Sequence, residues 1–181
     1  MERIMKSTTI RMEMIQMIKP WEDLRTHSNQ WDRRTIMLSA YIEPNSKVIE
    51  FGAGRMILKN YLPKGCKYQP ADLVERCKGC LVIDLNHIPY PELGKYDVAF
   101  FSGVLEYVYN VPGVIENVSK YVNQIIVSYC GKDYQTATAC QNNDWKLISE
   151  REFIRAFTKV GFELCNTDQW GSQRIYNFRR A

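Results

Sequence analysis

The chain has 181 residues, 45% of them hydrophobic and 24% charged, which is the composition of an ordinary globular protein. That length predicts one domain able to bury a core without disulfides or a structural metal. The 24 basic and 20 acidic residues are interspersed, so the net charge of +4 does not favour a nucleic-acid partner. No apolar run approaches the ~20 residues of a membrane-spanning helix, and none is predicted.

The N-terminus and the cysteines indicate a cytoplasmic chain. The first residues mix charged side chains into apolar ones, which is not the pattern of a signal peptide. We therefore expect the six cysteines to be reduced thiols. Cys77 and Cys80 form a lone C-x-x-C, and the remaining cysteines supply no second pair at zinc-ligand spacing, so no metal site is predicted.

The first 42 residues carry two helical patterns. A methionine-rich pattern ends at Pro20, and a second one runs from Trp21 to Ile42 with apolar positions at helical spacing. We interpret residues 1–42 as a helical lid or cap and residues 43–181 as the main, ligand-binding domain.

Strand-like and helical segments alternate after residue 42, which predicts an α/β fold with a doubly wound, mostly parallel sheet. The predicted helices are Arg55–Leu62, Asn110–Val122 and Ser149–Lys159. The predicted strands are Lys47–Phe51, Cys66–Asp72, Leu81–Ile83, Tyr96–Phe101, Gln124–Tyr129, Phe162–Asn166 and Arg174–Phe178. Only eight residues separate Asp72 from Leu81, too few for an ordinary crossover helix, so the helix there is predicted to be a single turn or missing.

A glycine turn follows the first strand, at the edge of the sheet where open α/β folds bind ligands. Glu50 precedes Gly52, Ala53 and Gly54, and two glycines so placed let the backbone turn tightly and a ligand approach closely. A dinucleotide fingerprint needs a third glycine where this chain has Ile57, which disfavours a nicotinamide or flavin dinucleotide.

Two acids follow the next two strands. Asp72, with Leu73 beside it, comes 18 residues after Gly54, where a carboxylate can accept hydrogen bonds from ribose hydroxyls. The alternative for Asp72 is an exposed turn. Asp84 can accept a hydrogen bond from an adenine amino group while Leu85 offers its amide, or it can cap the following turn.

The fourth strand brings Ser102 and Gly103 to the same edge, with Glu106 and Tyr107 just beyond. Glu106, Tyr107 and His87 are candidates for acid–base chemistry, because each follows a strand end. Each also has a structural alternative: an ion pair or cap for Glu106, packing for Tyr107 and a solvent-facing loop for His87. Glu106 with His87 is weak support for a metal ion.

From about Trp21 onward the chain resembles a class I S-adenosylmethionine-dependent methyltransferase. The glycine turn resembles the family's motif I with Glu50 as its acid, and Asp72 resembles the ribose-binding acid. Ile83–Leu85 resembles the adenine-binding segment, and Tyr96–Tyr107 resembles the fourth strand with its L-E-H element. The resemblance implies the strand order 3-2-1-4-5-7-6, an antiparallel last strand and S-adenosyl-L-methionine as cofactor.

The resemblance also implies which residues contact the cofactor. They are Glu50, Gly52, Ala53, Gly54, Asp72, Leu73, Asp84, Leu85, Ser102 and Gly103. The chain departs from the family pattern at Met56, where a third small residue is frequent, and at Tyr107, where a histidine is usual. Phe101–Val104 lacks the D/N-P-P-Y/F motif of nucleic-acid amino-methyltransferases, which disfavours that substrate class.

We therefore predict a methyltransferase acting on a small molecule, such as the hydroxyl of a sugar or glycolipid head group. The polar segment from Gly131 to Trp145 and the methionine-rich N-terminus are predicted to form the acceptor pocket and its lid. The alternatives are a non-catalytic relative that binds cofactor or a partner and, less favoured, an RNA methyltransferase.

Overall fold

A computed structural model describes residues 28–134 and 147–181 of the chain. These ranges contain three α-helices: α1 (Asn29–Ser39), α2 (Val111–Val118) and α3 (Glu150–Thr158). They also contain seven strands: β1 (Lys47–Phe51), β2 (Lys67–Asp72), β3 (Leu81–Val82), β4 (Val98–Ser102), β5 (Gln124–Tyr129), β6 (Phe162–Trp170) and β7 (Gln173–Arg180). Short 3-10 helices cover Ile57–Tyr61, Leu105–Tyr107 and Lys132–Tyr134.

The strands form one mixed sheet in the order β3-β2-β1-β4-β5-β7-β6. Strands β1 to β5 are parallel to one another, and β7 runs antiparallel to both β5 and β6. This confirms the predicted fold class and strand order. The register pairs Phe51 of β1 with Phe101 of β4, so the glycine turn and Ser102 lie side by side at the carboxyl edge.

Both faces of the sheet are covered, which explains why β4 is apolar without alternation. Val98 and Phe100 pack on one face with Leu38 and Ile42, while Phe101 packs on the other in the cluster that includes α2 and α3. Helix α1 is therefore part of the core. The predicted domain boundary at residue 42 stays a prediction, and residues 1–27 of that segment lie outside the described residues.

Two local predictions need correction. The helix predicted for Arg55–Leu62 is only the 3-10 helix Ile57–Tyr61, because Met56 adopts a left-handed conformation (φ 55°) that a regular α-helix cannot contain. The apolar run Leu81–Ile83, which is typical of a buried strand, forms only the two-residue strand β3, and Val82 is 60% exposed. The reason is that β3 is an edge strand, paired with β2 alone.

The helices predicted at Asn110–Val122 and Ser149–Lys159 are confirmed as α2 and α3, although α2 ends earlier, at Val118. The Asn110 side chain accepts the N–H of Gly113 at the start of α2, and Ser149 and Glu152 form a capping box at the start of α3. Residues 73–80, between β2 and β3, contain no helix. No helix in the described ranges is long and apolar enough to span a membrane.

Candidate active site

A cavity of about 620 Å³ lies at the carboxyl edge of β1, β2 and β4. Its size is in the range of ~300–1,000 Å³ that is usual for small-molecule sites. All ten residues predicted to contact a cofactor line it, as do Glu106 and Tyr107. The agreement has a simple cause: each of these residues lies at or just after the carboxyl end of a strand. Their contact with a cofactor itself stays a prediction.

The glycine turn requires glycine for two reasons. Gly52 and Gly54 have φ values of 68° and 49°, which side chains other than glycine rarely adopt. A Cβ added to Gly52 would also come within 2.5 Å of Cγ2 of Val104. The turn therefore keeps a bare backbone against the cavity, open to a ligand.

Asp72 is locked to this turn. Its Oδ2 accepts the N–H of Gly54 at 2.8 Å, its Oδ1 accepts the N–H of Leu73 at 2.7 Å, and Arg76 forms an ion pair with it at 3.3 Å. The side chain is only 7% exposed, so the exposed-turn alternative for Asp72 is wrong. Its carboxylate oxygens still have lone pairs for ligand hydroxyls.

Asp84 caps a turn, as one of its two interpretations proposed, and it also lines the cavity. Its Oδ1 accepts the N–H of Asn86 at 2.9 Å, and its Oδ2 lies 2.6 Å from Nδ1 of His87. Its hydrogen bond with an adenine amino group stays a prediction. The His87 side chain is 63% exposed and is not among the residues that line the cavity. The structure thus brings Glu106 and Tyr107 to the cavity and leaves His87 outside it.

Glu50 is a buried acid at the end of β1. Burial raises the pKa of its carboxyl to about 8; the Tyr68 hydroxyl, which donates to Oε2, counteracts this, and the negative charge of Asp72 adds to it. Below this pKa the carboxyl is neutral, but a cationic ligand placed beside it would favour its ionised form.

Glu106, which follows β4, forms hydrogen bonds with the end of β5 and with β7. Its Oε1 accepts the backbone N–H of Cys130 at 3.0 Å and Nε2 of Gln173 at 2.9 Å. Its Oε2 is buried and has no hydrogen-bond partner among the described residues. Burial raises the pKa of this carboxyl, and the positive charge of Arg34 opposes the shift.

Sequence reasoning missed Arg34 of α1 and Gln173 of β7, both of which line the cavity. The guanidinium of Arg34 donates to Oγ of Ser102 at 3.0 Å, to the Ser102 carbonyl at 2.9 Å and to Oε1 of Gln173 at 2.9 Å. The sequence did indicate that Arg34 faces the protein, since its spacing places it on the same helical face as Trp31 and Leu38. Nothing in the pattern around Gln173 distinguished it.

The cavity residues fit S-adenosylmethionine in shape and in charge. The glycine turn leaves room for close approach, two acids stand at the ends of β2 and β3 for an adenosine, and a buried acid and a buried cation stand at the ends of β1 and β4. S-adenosylmethionine carries an ammonium, a sulfonium and one carboxylate, and this net positive charge matches a lining that holds more acids than arginines.

Solved structures of similar fold are methyltransferases. The 1,6-didemethyltoxoflavin-N1-methyltransferase of Burkholderia thailandensis, solved with S-adenosylhomocysteine, is 12% identical and aligns over 97% of this chain and 88% of its own with a TM-score of 0.67. Magnesium protoporphyrin IX methyltransferase of Synechocystis, also with bound S-adenosylhomocysteine, is 15% identical over 84% of both chains, with a TM-score of 0.63.

A third similar structure is a Haloferax volcanii methyltransferase described as putative, in complex with the Trm112 activator. It is 12% identical, over 82% of this chain and 91% of its own, with a TM-score of 0.68. No curated protein matches the sequence of this chain.

The family model described as a methyltransferase domain matches residues 21–167, most of the chain. The chain therefore belongs to the methyltransferase domain family. This confirms the resemblance to class I S-adenosylmethionine-dependent methyltransferases and, with it, S-adenosylmethionine as the predicted cofactor.

Proposed function

We propose that the chain transfers a methyl group from S-adenosylmethionine to a hydroxyl of a small acceptor, in the class of sugars and glycolipid head groups. The observation that carries the proposal is that one continuous cavity joins the ten candidate cofactor residues to a second, partly aromatic region at β4, β6 and β7. A methyltransferase needs this connection, because donor and acceptor must meet in one water-poor space.

The part of the cavity at the ends of β1, β2 and β3 is assigned to the cofactor. Asp72 accepts hydrogen bonds from ribose hydroxyls, held in place by the N–H groups of Gly54 and Leu73. Asp84 and the amide of Leu85 face the adenine. When bound, S-adenosylmethionine supplies an electrophilic methyl group on its sulfonium, so the protein's main tasks are orientation and exclusion of water.

The acceptor end is assigned to the region beyond β4. It is lined by two tryptophans together with hydroxyl and amide groups: Trp31, Trp170, Ser172, Gln173 and Tyr107. Flat aromatic walls with a few polar groups bind ring-shaped molecules while hydrogen bonds select their hydroxyls. The predicted contribution of the Gly131–Trp145 segment concerns residues of which 135–146 lie outside the described residues.

Glu106 is the proposed proton acceptor for the hydroxyl. Its Oε2 is a buried carboxyl oxygen with no hydrogen-bond partner among the residues that the structure describes. Burial raises the pKa of this carboxyl, which makes its ionised form a stronger base. Tyr107 borders the same cavity and shapes its wall. The exposed position of His87 gives no support to a catalytic role for it.

The test is an acceptor screen with S-adenosylmethionine, in which formation of S-adenosylhomocysteine is measured. Panels of sugars and glycolipid head groups, phenols, peptides and short RNAs separate the acceptor classes. Asp72→Ala should abolish turnover, whereas Asp168→Ala, at an exposed acid of β6, should not.

Turnover with hydroxylated acceptors supports the proposal. Turnover restricted to aromatic, peptide or RNA acceptors contradicts it. Binding of S-adenosylhomocysteine without transfer to any acceptor class contradicts it as well and favours the non-catalytic alternative.

A further inference from the structure

A second cavity, of about 710 Å³, lies at the edge of the sheet opposite the candidate active site. It is bordered by the amino ends of β1, β4 and β5 and by the carboxyl end of the antiparallel β7. We call it the basic cavity, because its charged lining consists of four cations and one acid: Lys47, Lys95, Lys120, Arg180 and Asp97. The five residues of β4, at ~3.3 Å each, place about 17 Å between the two cavities.

The positive charge of the basic cavity is not neutralised within the described chain. None of its four cations forms an ion pair with a carboxylate among the described residues, whereas the neighbouring Arg179 pairs with Glu43. Oδ2 of Asp97, the one acid of the lining, accepts the backbone N–H of Lys47 at 2.7 Å. The lining therefore has a net charge of +3.

Two of these cations also cap the end of α2, which is their structural role. Nη2 of Arg180 donates to the carbonyls of Ser119 and Val122, and Nζ of Lys95 donates to the carbonyl of Lys120 at 2.6 Å. A helix C-terminus carries only about half a negative charge, so capping offsets a small part of the +3.

Capping also fixes the guanidinium of Arg180 before any ligand binds. Its Cζ lies 4.7 Å from the ring centroid of Phe162, which holds the group from a second side. Both hydrogen bonds use Nη2, so Nε and Nη1 keep three of the five N–H donors of a guanidinium. Arg180 is thus a pre-oriented donor for an anion.

Lys47 and Lys120 add charge that the fold does not use for hydrogen bonding. Neither side chain donates a hydrogen bond within the described part of the chain, and both residues are exposed. Nζ of Lys47 lies 4.2 Å from the ring centroid of Tyr96. Like charges gathered in one place repel and destabilise the compact state. A multiply charged anion would turn that repulsion into attraction.

The size of the basic cavity and the spread of its cations restrict the class of ligand. Its volume is in the range of ~300–1,000 Å³ that small molecules occupy, more than a single inorganic anion fills. The cations come from the ends of four neighbouring strands, which at ~4.8 Å per spacing span about 14 Å. Guanidinium and ammonium groups together are the usual donors to phosphate oxygens.

We propose that the basic cavity binds a soluble small molecule that carries two or more phosphate groups. Arg180, at the end of β7, binds one phosphate through Nε and Nη1, and Lys47, at the start of β1, binds another. Lys95 and Lys120 come from the two strands between them and complete the site. The proposal is independent of the proposed function, because its residues lie at the opposite edge of the sheet.

The probe is inorganic tripolyphosphate, and its binding is measured by calorimetric titration at low ionic strength. The variant is the double substitution Lys47→Gln with Lys120→Gln, which leaves both caps of α2 in place. The matched control is Lys64→Gln with Lys67→Gln, which removes two exposed lysines that do not line the cavity. Lys67 starts β2 and is paired in register with Lys47, so the control lies on the same edge.

We expect the cavity variant to bind tripolyphosphate about 10- to 100-fold more weakly than the wild type, the usual effect of losing charge-assisted hydrogen bonds. The control should lose less than about threefold. The urea midpoint of the cavity variant should not fall, because removing two like charges relieves repulsion, and this separates lost binding from lost fold. Equal losses of affinity in the two double variants would overturn the proposal in favour of a general effect of net charge.

Further ligands test the chemical class and the place of binding. Inorganic phosphate and the tricarboxylate citrate should each bind the wild type at least ~10-fold more weakly than tripolyphosphate, and citrate of equal affinity would overturn phosphate recognition. S-adenosylhomocysteine should not displace tripolyphosphate, and displacement would place the anion in the active-site cavity instead. Absence of tripolyphosphate binding overturns the proposal, and retention on phosphatidic acid vesicles in that case would assign the cations to a membrane surface.

Discussion

Gly54 donates its backbone N–H to Oδ2 of Asp72 across 2.8 Å, which joins the turn after β1 to the acid at the end of β2. The acid thereby fixes the turn, and the turn fixes the acid. A ligand that bridges the two strands meets a surface already in place, so little ordering is needed when it binds.

Asp72→Asn should weaken the hydrogen bonds between residue 72 and the glycine turn with almost no change in the shape of the side chain. The asparagine side chain keeps one oxygen, which can accept the N–H of Gly54 or the N–H of Leu73. Its NH2 group then faces the other of these two donors and cannot accept a hydrogen bond from it. We expect S-adenosylhomocysteine to bind ~10- to 100-fold more weakly and the free energy of unfolding to fall by about 1–3 kcal/mol. Calorimetric titration and urea denaturation measure both, with Asp168→Asn as an exposed control. Unchanged affinity would remove Asp72 from the cofactor site.

Gly52→Ala tests whether the glycine turn needs space as well as backbone freedom. Gly79→Ala is its matched control, because Gly79 also has a positive φ, 86°, but an added Cβ there has no atom within 4 Å. Both variants should lose ~1–2 kcal/mol to backbone strain. Gly52→Ala should lose ~1–3 kcal/mol more, since its Cβ collides with Val104.

Denaturant unfolding of the two glycine variants gives the difference directly. Equal losses of stability would mean that Val104 moves aside without cost. In that case the requirement at residue 52 would be conformational only.

The strands and the cavity lining could be predicted from the sequence because both depend on local pattern. Apolar runs locate the strands, and residues that follow parallel strands must meet at one edge. Arg34 and Gln173 were not predicted. The sequence placed Arg34 on the apolar face of its helix, but only the docking of α1 on the sheet brings it to the cavity. The position of β7 was implied by the strand order, but nothing in the pattern showed that Gln173 turns its side chain to the cavity. The exposure of Val82 was missed for a related reason: a strand's burial depends on its place in the sheet.

Glu50→Gln should separate stability from ligand binding. The folded-state pKa of Glu50 is raised to about 8 from an ordinary 4.5. A raised carboxyl pKa favours folding below pH ~4.5, and this contribution is lost as the pH rises through 8, at ~1.4 kcal/mol per unit of pKa difference. The wild type should thus lose a few kcal/mol relative to Glu50→Gln between pH 5 and pH 8, as measured by urea denaturation at each pH.

The same substitution should weaken ligand binding. A ligand ammonium favours ionised Glu50, so binding near pH 7 should release a proton in the wild type and none from this position in Glu50→Gln. Titration calorimetry in two buffers of different ionisation enthalpy counts those protons. Identical proton release in the two proteins would contradict a contact between Glu50 and the ammonium.

Glu106→Gln tests proton transfer. Burial raises the pKa of Glu106, and only the ionised form can act as a base, so kcat of the wild type should increase with pH through that raised pKa and then level off. The variant should lose ~10²-fold or more in kcat together with this pH-dependent limb, while S-adenosylhomocysteine still binds. Because Glu106 also anchors Gln173 and the N–H of Cys130, lost activity alone is ambiguous. Retention of the pH limb in a slow variant would show that Glu106 only positions Gln173 and that another group takes the proton.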